Sequence, residues 1–115
     1  MLHRKYRDEK RARKNAISPR EPMYVLGQNL TLVCNSRRSN AKYLYFIRGS
    51  NSEPVPDRFI QRINDTAIKL EYPVTVQDIK NHSSSMSYGC MKRRINKGSD
   101  LCIDNVYVQL DCKCH

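Results

Sequence analysis

The residues of this 115-residue chain with chemistry to offer are five cysteines, three histidines and three Asn-x-Ser/Thr triplets. Cys34, Cys90, Cys102, Cys112 and Cys114 are more thiols than a chain of this size usually carries in a reducing compartment, so they read as bridge formers. Their odd number permits at most two internal pairs. The triplets Asn29-Leu30-Thr31, Asn64-Asp65-Thr66 and Asn81-His82-Ser83 are acceptors for N-linked glycans and point to the same oxidising, exported setting. Catalysis and metal binding find little to work with. His3 and His115 lie at the chain ends and His82 inside a glycan triplet, so none is placed to activate Ser or Cys, and no Gly-rich phosphate loop or paired-carboxylate motif is present. Cys112-Lys113-Cys114-His115 lacks the second half of a tetrahedral ligand set. The expectation is a chain that binds and does not catalyse, without metal or cofactor.

The formal net charge is +10, and half of it sits in one run. Arg4, Lys5, Arg7, Lys10, Arg11, Arg13 and Lys14 are set against only Asp8 and Glu9, with almost no apolar residue among them. Such a run cannot bury enough surface to offset the entropy of ordering it. Residues 1–20 are therefore expected to be a disordered basic tail, residues 21–111 one domain, and residues 112–115 the start of a linker or of a truncated next domain. The tail can hold a polyanion, whether glycosaminoglycan, anionic lipid or nucleic acid, by counterion release. A second basic cluster, Lys92, Arg93, Arg94 and Lys97, is a candidate partner-binding surface that would steer an acidic ligand. Met1-Leu2-His3-Arg4-Lys5 has no apolar run behind it, and no stretch is long enough to span a membrane. If the protein is exported, the sequence is expected to be a processed form, or to come from a gene model lacking its true first exon.

The elements that position these residues read as strands. After Pro19 and Pro22 the chain becomes short runs with period-two alternation between turn residues, and no helical stripe competes. A first strand falls near Met23 to Leu26. Asn29 to Cys34 then sets Leu30, Leu32 and Cys34 on one face, Lys42 to Arg48 pairs Leu44 with Phe46, and Gly49 to Pro56 reads as turn and edge. Arg58 to Ile63 follows, then Thr66 to Tyr72 with Ile68, Leu70 and Tyr72 aligned, a short helical turn within Val74 to His82, and Ser85 to Met91 with Met86, Tyr88 and Cys90 aligned. The last strand, Asp104 to Leu110, follows the turn signal Asn96-Lys97-Gly98-Ser99. About seven antiparallel strands at this spacing predict an all-β sandwich.

Cys34 at the end of an early strand, with Tyr88-Gly89-Cys90 much later, is the signature of an immunoglobulin-like two-sheet sandwich. It predicts a disulfide between Cys34 and Cys90 across the sheets, with the Tyr88 hydroxyl bonded to backbone at the preceding corner. The chain has no tryptophan, so Phe46, twelve positions after Cys34, is the core aromatic expected against the bridge. Cys102 is left to pair with Cys112 or Cys114, a connectivity that spacing does not decide.

Three passages then resemble the amino-terminal immunoglobulin-like domain of class I cytokine receptors of the interleukin-6 signal-transducer type, the family of the leukaemia inhibitory factor receptor and insect Domeless. They are Asn29-Leu30-Thr31-Leu32-Val33-Cys34, Lys42-Tyr43-Leu44-Tyr45-Phe46-Ile47, and Arg62-Ile63-Asn64-Asp65-Thr66-Ala67. Asp78-Ile79 and Asn105-Val106-Tyr107-Val108 extend the likeness over residues 22–110. Ser84 and Met86 stand where antibody-like and adhesion domains carry aspartate and glycine. The extra disulfide of vertebrate members has no cysteine upstream of Cys34 to form it. The resemblance implies an extracellular receptor domain that contacts a helical cytokine through an exposed edge, while a following fibronectin type III domain carries the main binding elbow. The other readings are an adhesion or structural immunoglobulin superfamily domain and a basic glycosaminoglycan- or nucleic-acid-binding protein.

Overall fold

Alternating apolar residues on short, β-branched-rich runs can be buried only if two sheets face each other, and that is how the chain folds. The computed structural model describes residues 15–81, 86–96 and 98–110. The first sheet has the order β1-β3-β7-β6, from β1 (Ile17–Ser18), β3 (Asn29–Asn35), β7 (Ala67–Pro73) and β6 (Ile60–Asn64). The second has the order β5-β4-β8-β9, from β5 (Glu53–Pro54), β4 (Leu44–Arg48), β8 (Ser87–Lys92) and β9 (Leu101–Tyr107). Four strands of one sheet and four of the other, bridged from β3 to β8, make this an immunoglobulin-like sandwich.

Registers carry out the expected burial. Leu30, Leu32 and Cys34 of β3 lie opposite Tyr72, Leu70 and Ile68 of β7, and Phe46 of β4 lies opposite Cys90 of β8. Leu32, Cys34, Phe46, Leu70 and Cys90 are fully buried. A short helix, α1 (Val76–Lys80), crosses from β7 toward β8 where the sequence predicts a helical turn, capped by Thr75 and Asp78 in a reciprocal box. Two 3₁₀ turns, Ala41–Tyr43 and Asp57–Phe59, take up residues expected to begin strands.

Three expectations are corrected. The domain begins earlier than residue 21. Ala16 and Ile17 are buried, and β1 pairs antiparallel with β3 through Ile17 opposite Cys34. The rest of the expected tail, residues 1–14, lies outside the described residues. Second, pairing is not wholly antiparallel. The chain leaves the first sheet after β1, through a cis Ser18–Pro19 peptide, and β2 (Met23–Tyr24) runs parallel to β10 (Gln109–Leu110) in a separate two-stranded sheet. Third, the last long strand starts at Leu101, ahead of Asp104, because a bulge opposite Cys90 and Met91 shifts its register. The bulge buries Ile103 next to Asp104, whose carboxylate faces inward in phase with Val106.

Candidate functional site

The loops β3–β4 and β8–β9 lie at one end of the sandwich with the β6–β7 turn, because Asn35 ends β3 beside Ala67, which starts β7, and Lys92 ends β8 beside Leu44, which starts β4. Backbone bonds tie them together. The Arg93 N–H donates to the Tyr43 carbonyl at 2.8 Å, Ala41 N–H to the Asp65 carbonyl at 2.8 Å, and Ser36 N–H to the Thr66 carbonyl at 2.9 Å. Asn40 accepts the Lys42 N–H at 3.0 Å and starts the 3₁₀ turn.

Asp100 organises the β8–β9 hairpin. Its carboxylate accepts from the Tyr45 hydroxyl and, at 3.3 Å, from the Arg94 backbone N–H, while Arg94 Nε donates to the Ser99 carbonyl at 3.0 Å. The Tyr45 hydroxyl first, then the Arg94 N–H and the nearby guanidinium groups of Arg93 and Arg94, hold this carboxyl below the usual carboxylate range. The Arg93 guanidinium lies 5.4 Å above the Tyr45 ring. The expected basic quartet therefore divides. Arg94 laces the loop and Arg93 stacks on Tyr45, while Lys92 turns to a cleft on the side of β1 and β9 and Lys97 lies outside the described residues.

That cleft, of about 510 Å³, is lined by Arg37, Arg38 and Lys92 with Asn15, Leu101 and Ile103 among its other walls, and among the described residues no carboxylate borders it. Arg37 and Arg38 were not singled out by the sequence reading, although adjacent arginines in a loop were the available signal. Charge is distributed unevenly across the domain. The two loops hold Arg37, Arg38, Lys42, Lys92, Arg93, Arg94 and Lys97 against Asp100 alone. Elsewhere in residues 15–110, Arg20, Arg48, Arg58, Arg62, Lys69 and Lys80 are outnumbered by Glu21, Glu53, Asp57, Asp65, Glu71, Asp78 and Asp104. All the excess positive charge of the domain is at this end.

The core site matches the sequence signature. Cys34 and Cys90 are disulfide-bonded with their Cα atoms 6.3 Å apart, and Phe46 and Tyr88 are buried with them. The Tyr88 hydroxyl bonds the Tyr24 hydroxyl at 2.8 Å, and the Arg48 guanidinium lies 5.4 Å above the Tyr72 ring. Tyr72 in turn donates to Asp78 at 2.7 Å. Burial first, then the bond to Tyr88, pushes the Tyr24 phenol above its ordinary value. The Tyr88 hydroxyl, expected to meet backbone at the preceding corner, bonds no backbone atom among the described residues and meets the Tyr24 hydroxyl instead. The cluster ties β2, β4, β7 and β8 together at the end away from the basic loops.

Of the glycan acceptors, Asn29 opens β3 and Asn64 sits in the β6–β7 turn, both exposed and both on the first sheet. Asn81 caps α1, while His82 and Ser83 of its triplet lie outside the described residues. Cys102 is an exposed free thiol of β9. Its candidate partners Cys112 and Cys114 lie outside the described residues, as do His3 and His115. Among the described residues no helix is long and apolar enough to cross a membrane. No protein-family model matches the chain, and no curated protein matches it.

Proposed function

We propose that this domain is an extracellular ligand-binding module of the cytokine-receptor type, one part of a larger receptor, which grips a protein ligand and performs no catalysis. The observation that carries the reading is the distribution of glycan acceptors over a disulfide-bridged immunoglobulin-like sandwich. Asn29 and Asn64 fall on the first sheet and Asn81 on the crossover at the far end, so glycans there leave the second sheet and its β8–β9 hairpin bare. That bare side offers apolar anchors. Tyr107 on β9 is 57% exposed and Ile95 in the hairpin 72% exposed, and Tyr45 and Met91, paired on the same sheet, are half-buried. Aromatic and long aliphatic side chains of this kind supply most of the binding energy at protein interfaces. The sequence resemblance supplies the ligand class, a helical cytokine.

The test is a biosensor screen of purified helical cytokines against the glycosylated, secreted domain. The expected result is a cytokine whose affinity falls at least tenfold with Tyr107→Glu or Ile95→Glu and is unchanged when the glycans are trimmed. Absence of any cytokine partner, with binding to other immunoglobulin domains instead, overturns the reading in favour of an adhesion module.

A further inference from the structure

In β4, β8 and β9 the residues facing the core are Phe46, Tyr88, Cys90, Asp104 and Val106, all buried, so the strand residues that alternate with them face outward. Tyr45, Met91 and Cys102 form one outward row, and Ile47, Gly89 and Asn105 the next. A sheet face turned to water carries polar residues at such positions, as Lys69 and Glu71 do on the first sheet. These two rows carry tyrosine, isoleucine, methionine and cysteine instead. Apolar and aromatic residues in the middle with charge at the rim are the make-up of a protein contact surface.

The rows differ in height. Gly89 has no side chain and Ile47 leans across the space, since a Cβ at Gly89 would lie 3.0 Å from Ile47 Cγ1. The second row is therefore a low floor, and the larger Tyr45 and Met91 make the first row the higher one. The ends differ in charge. Arg93, exposed, stacks over Tyr45 at the hairpin end, 5.4 Å from its ring. The neighbouring Asp100 carboxylate is taken up by the Tyr45 hydroxyl and the Arg94 N–H. Glu53, exposed on β5, lies opposite Arg48 at the other end of β4.

These differences fit the face to itself. The rows lie about 7 Å apart, and a two-fold axis crossing the strands midway between them sets each copy's high row on the other's low row. Tyr45 then meets Ile47, Met91 meets the floor at Gly89, and Arg93 comes over the end of β4 where Glu53 lies. An axis along the strands would instead bring both Arg93 side chains to the same end, where like charges repel.

We propose that the outer face of the second sheet pairs with the same face of a second copy of this chain, in antiparallel orientation, with Arg93 of each copy against Glu53 of the other. A second copy is the occupant because one two-fold operation satisfies both the heights and the charges. The pairing does not rest on the cytokine reading. It uses the same face, so a ligand bound there displaces the second copy. Two rows on three strands fall short of the ~800 Å² per partner of a standard interface, so the pairing is weak, with a Kd on the order of 10–100 µM.

Sedimentation equilibrium of the full, secreted chain from about 1 to 500 µM tests this range. The expected result is a monomer–dimer equilibrium that reverses on dilution and is abolished by Met91→Glu. Arg93→Glu and Glu53→Arg are each expected to raise Kd about tenfold, because each turns two attractions per dimer into repulsions, and the double variant is expected to return to within about threefold of the parent. The two residues stand at opposite ends of β4 within one copy, so repair by the double variant reads contact between copies and not a fold defect. A chain that stays monomeric throughout overturns the inference, as does a dimer unchanged by Met91→Glu. Single losses that the double variant does not repair overturn the antiparallel orientation. Cytokine binding by a strictly monomeric chain removes this pairing and leaves the proposed function standing; a reversible dimer that binds no cytokine does the reverse.

Discussion

Asp104 begins the last strand in the alternation pattern, a place where an acidic residue ordinarily faces water. Here it lies in phase with the buried Val106 and Val108, and its side chain is 5% exposed. There its carboxylate accepts the Ile17 N–H at 2.9 Å and pairs with Arg20, whose Nη1 also donates to the Ile17 carbonyl at 3.0 Å. One carboxylate thus fastens the first strand to the last. Asp104→Ala leaves a buried N–H without its acceptor and is expected to cost about 2–3 kcal/mol, while Asp104→Asn, which keeps an acceptor oxygen, costs about half that. Urea unfolding of the two variants checks this; equal, small losses would show that the carboxylate does not hold β1. At the same scale, Phe46 was legible as the stand-in for tryptophan because its spacing from Cys34 survives substitution. The Tyr24–Tyr88–Arg48 cluster was not, since nothing in three separated sequence positions announces a shared polar site.

β1 shows how short an element can be and still matter. Two residues after a basic run and before Pro19 carry no periodicity, so pattern alone assigns them to the tail. In the fold Ile17 has no exposed surface and sits opposite Cys34. A chain starting at Glu21 is therefore expected to be less stable than one starting at Asn15 by about 3 kcal/mol, from lost burial of Ile17 and the orphaned Asp104, as compared by denaturant midpoints. The α1 cap makes a second prediction at this scale. Burial works against the Asp78 charge, but the Tyr72 hydroxyl, the Thr75 N–H and hydroxyl, and the Arg48 guanidinium outweigh it and hold the carboxyl below its ordinary value. A carboxyl with a depressed folded pKa stabilises the fold fully above its unfolded value of about 3.9, and the gain is lost as pH falls through the folded value. The thermal midpoint is expected to decline below about pH 4, with a shallower decline in Asp78→Asn. Glu71 and Asp100, also held low, leave a residual slope in the same direction. Identical pH profiles for the two proteins would remove Asp78 from the acid response.

For the whole molecule, the Cys34–Cys90 bridge spans a sequence separation of 56 and joins the two sheets. Closing a loop of that length restricts the unfolded chain by about 4 kcal/mol, a large part of the ~5–15 kcal/mol that keeps a domain folded. Reduction, or joint replacement of both cysteines by alanine, is expected to shift the urea midpoint by that free energy; an unchanged midpoint would assign the stability to packing alone. Sequence by itself determined the all-β class, most strand positions, the bridge and its aromatic companion. These depend on period-two burial and on residue types that act in pairs at set spacing. Only the tertiary structure decided that β1 belongs to the domain, that β2 runs parallel to β10, and that Asp104 meets Ile17 and Arg20. It also decided that Arg37, Arg38 and Lys92, separated along the chain, share one cleft. Those facts depend on which strand edges meet and where a register slips, and contacts between distant segments leave no local period in the sequence to read.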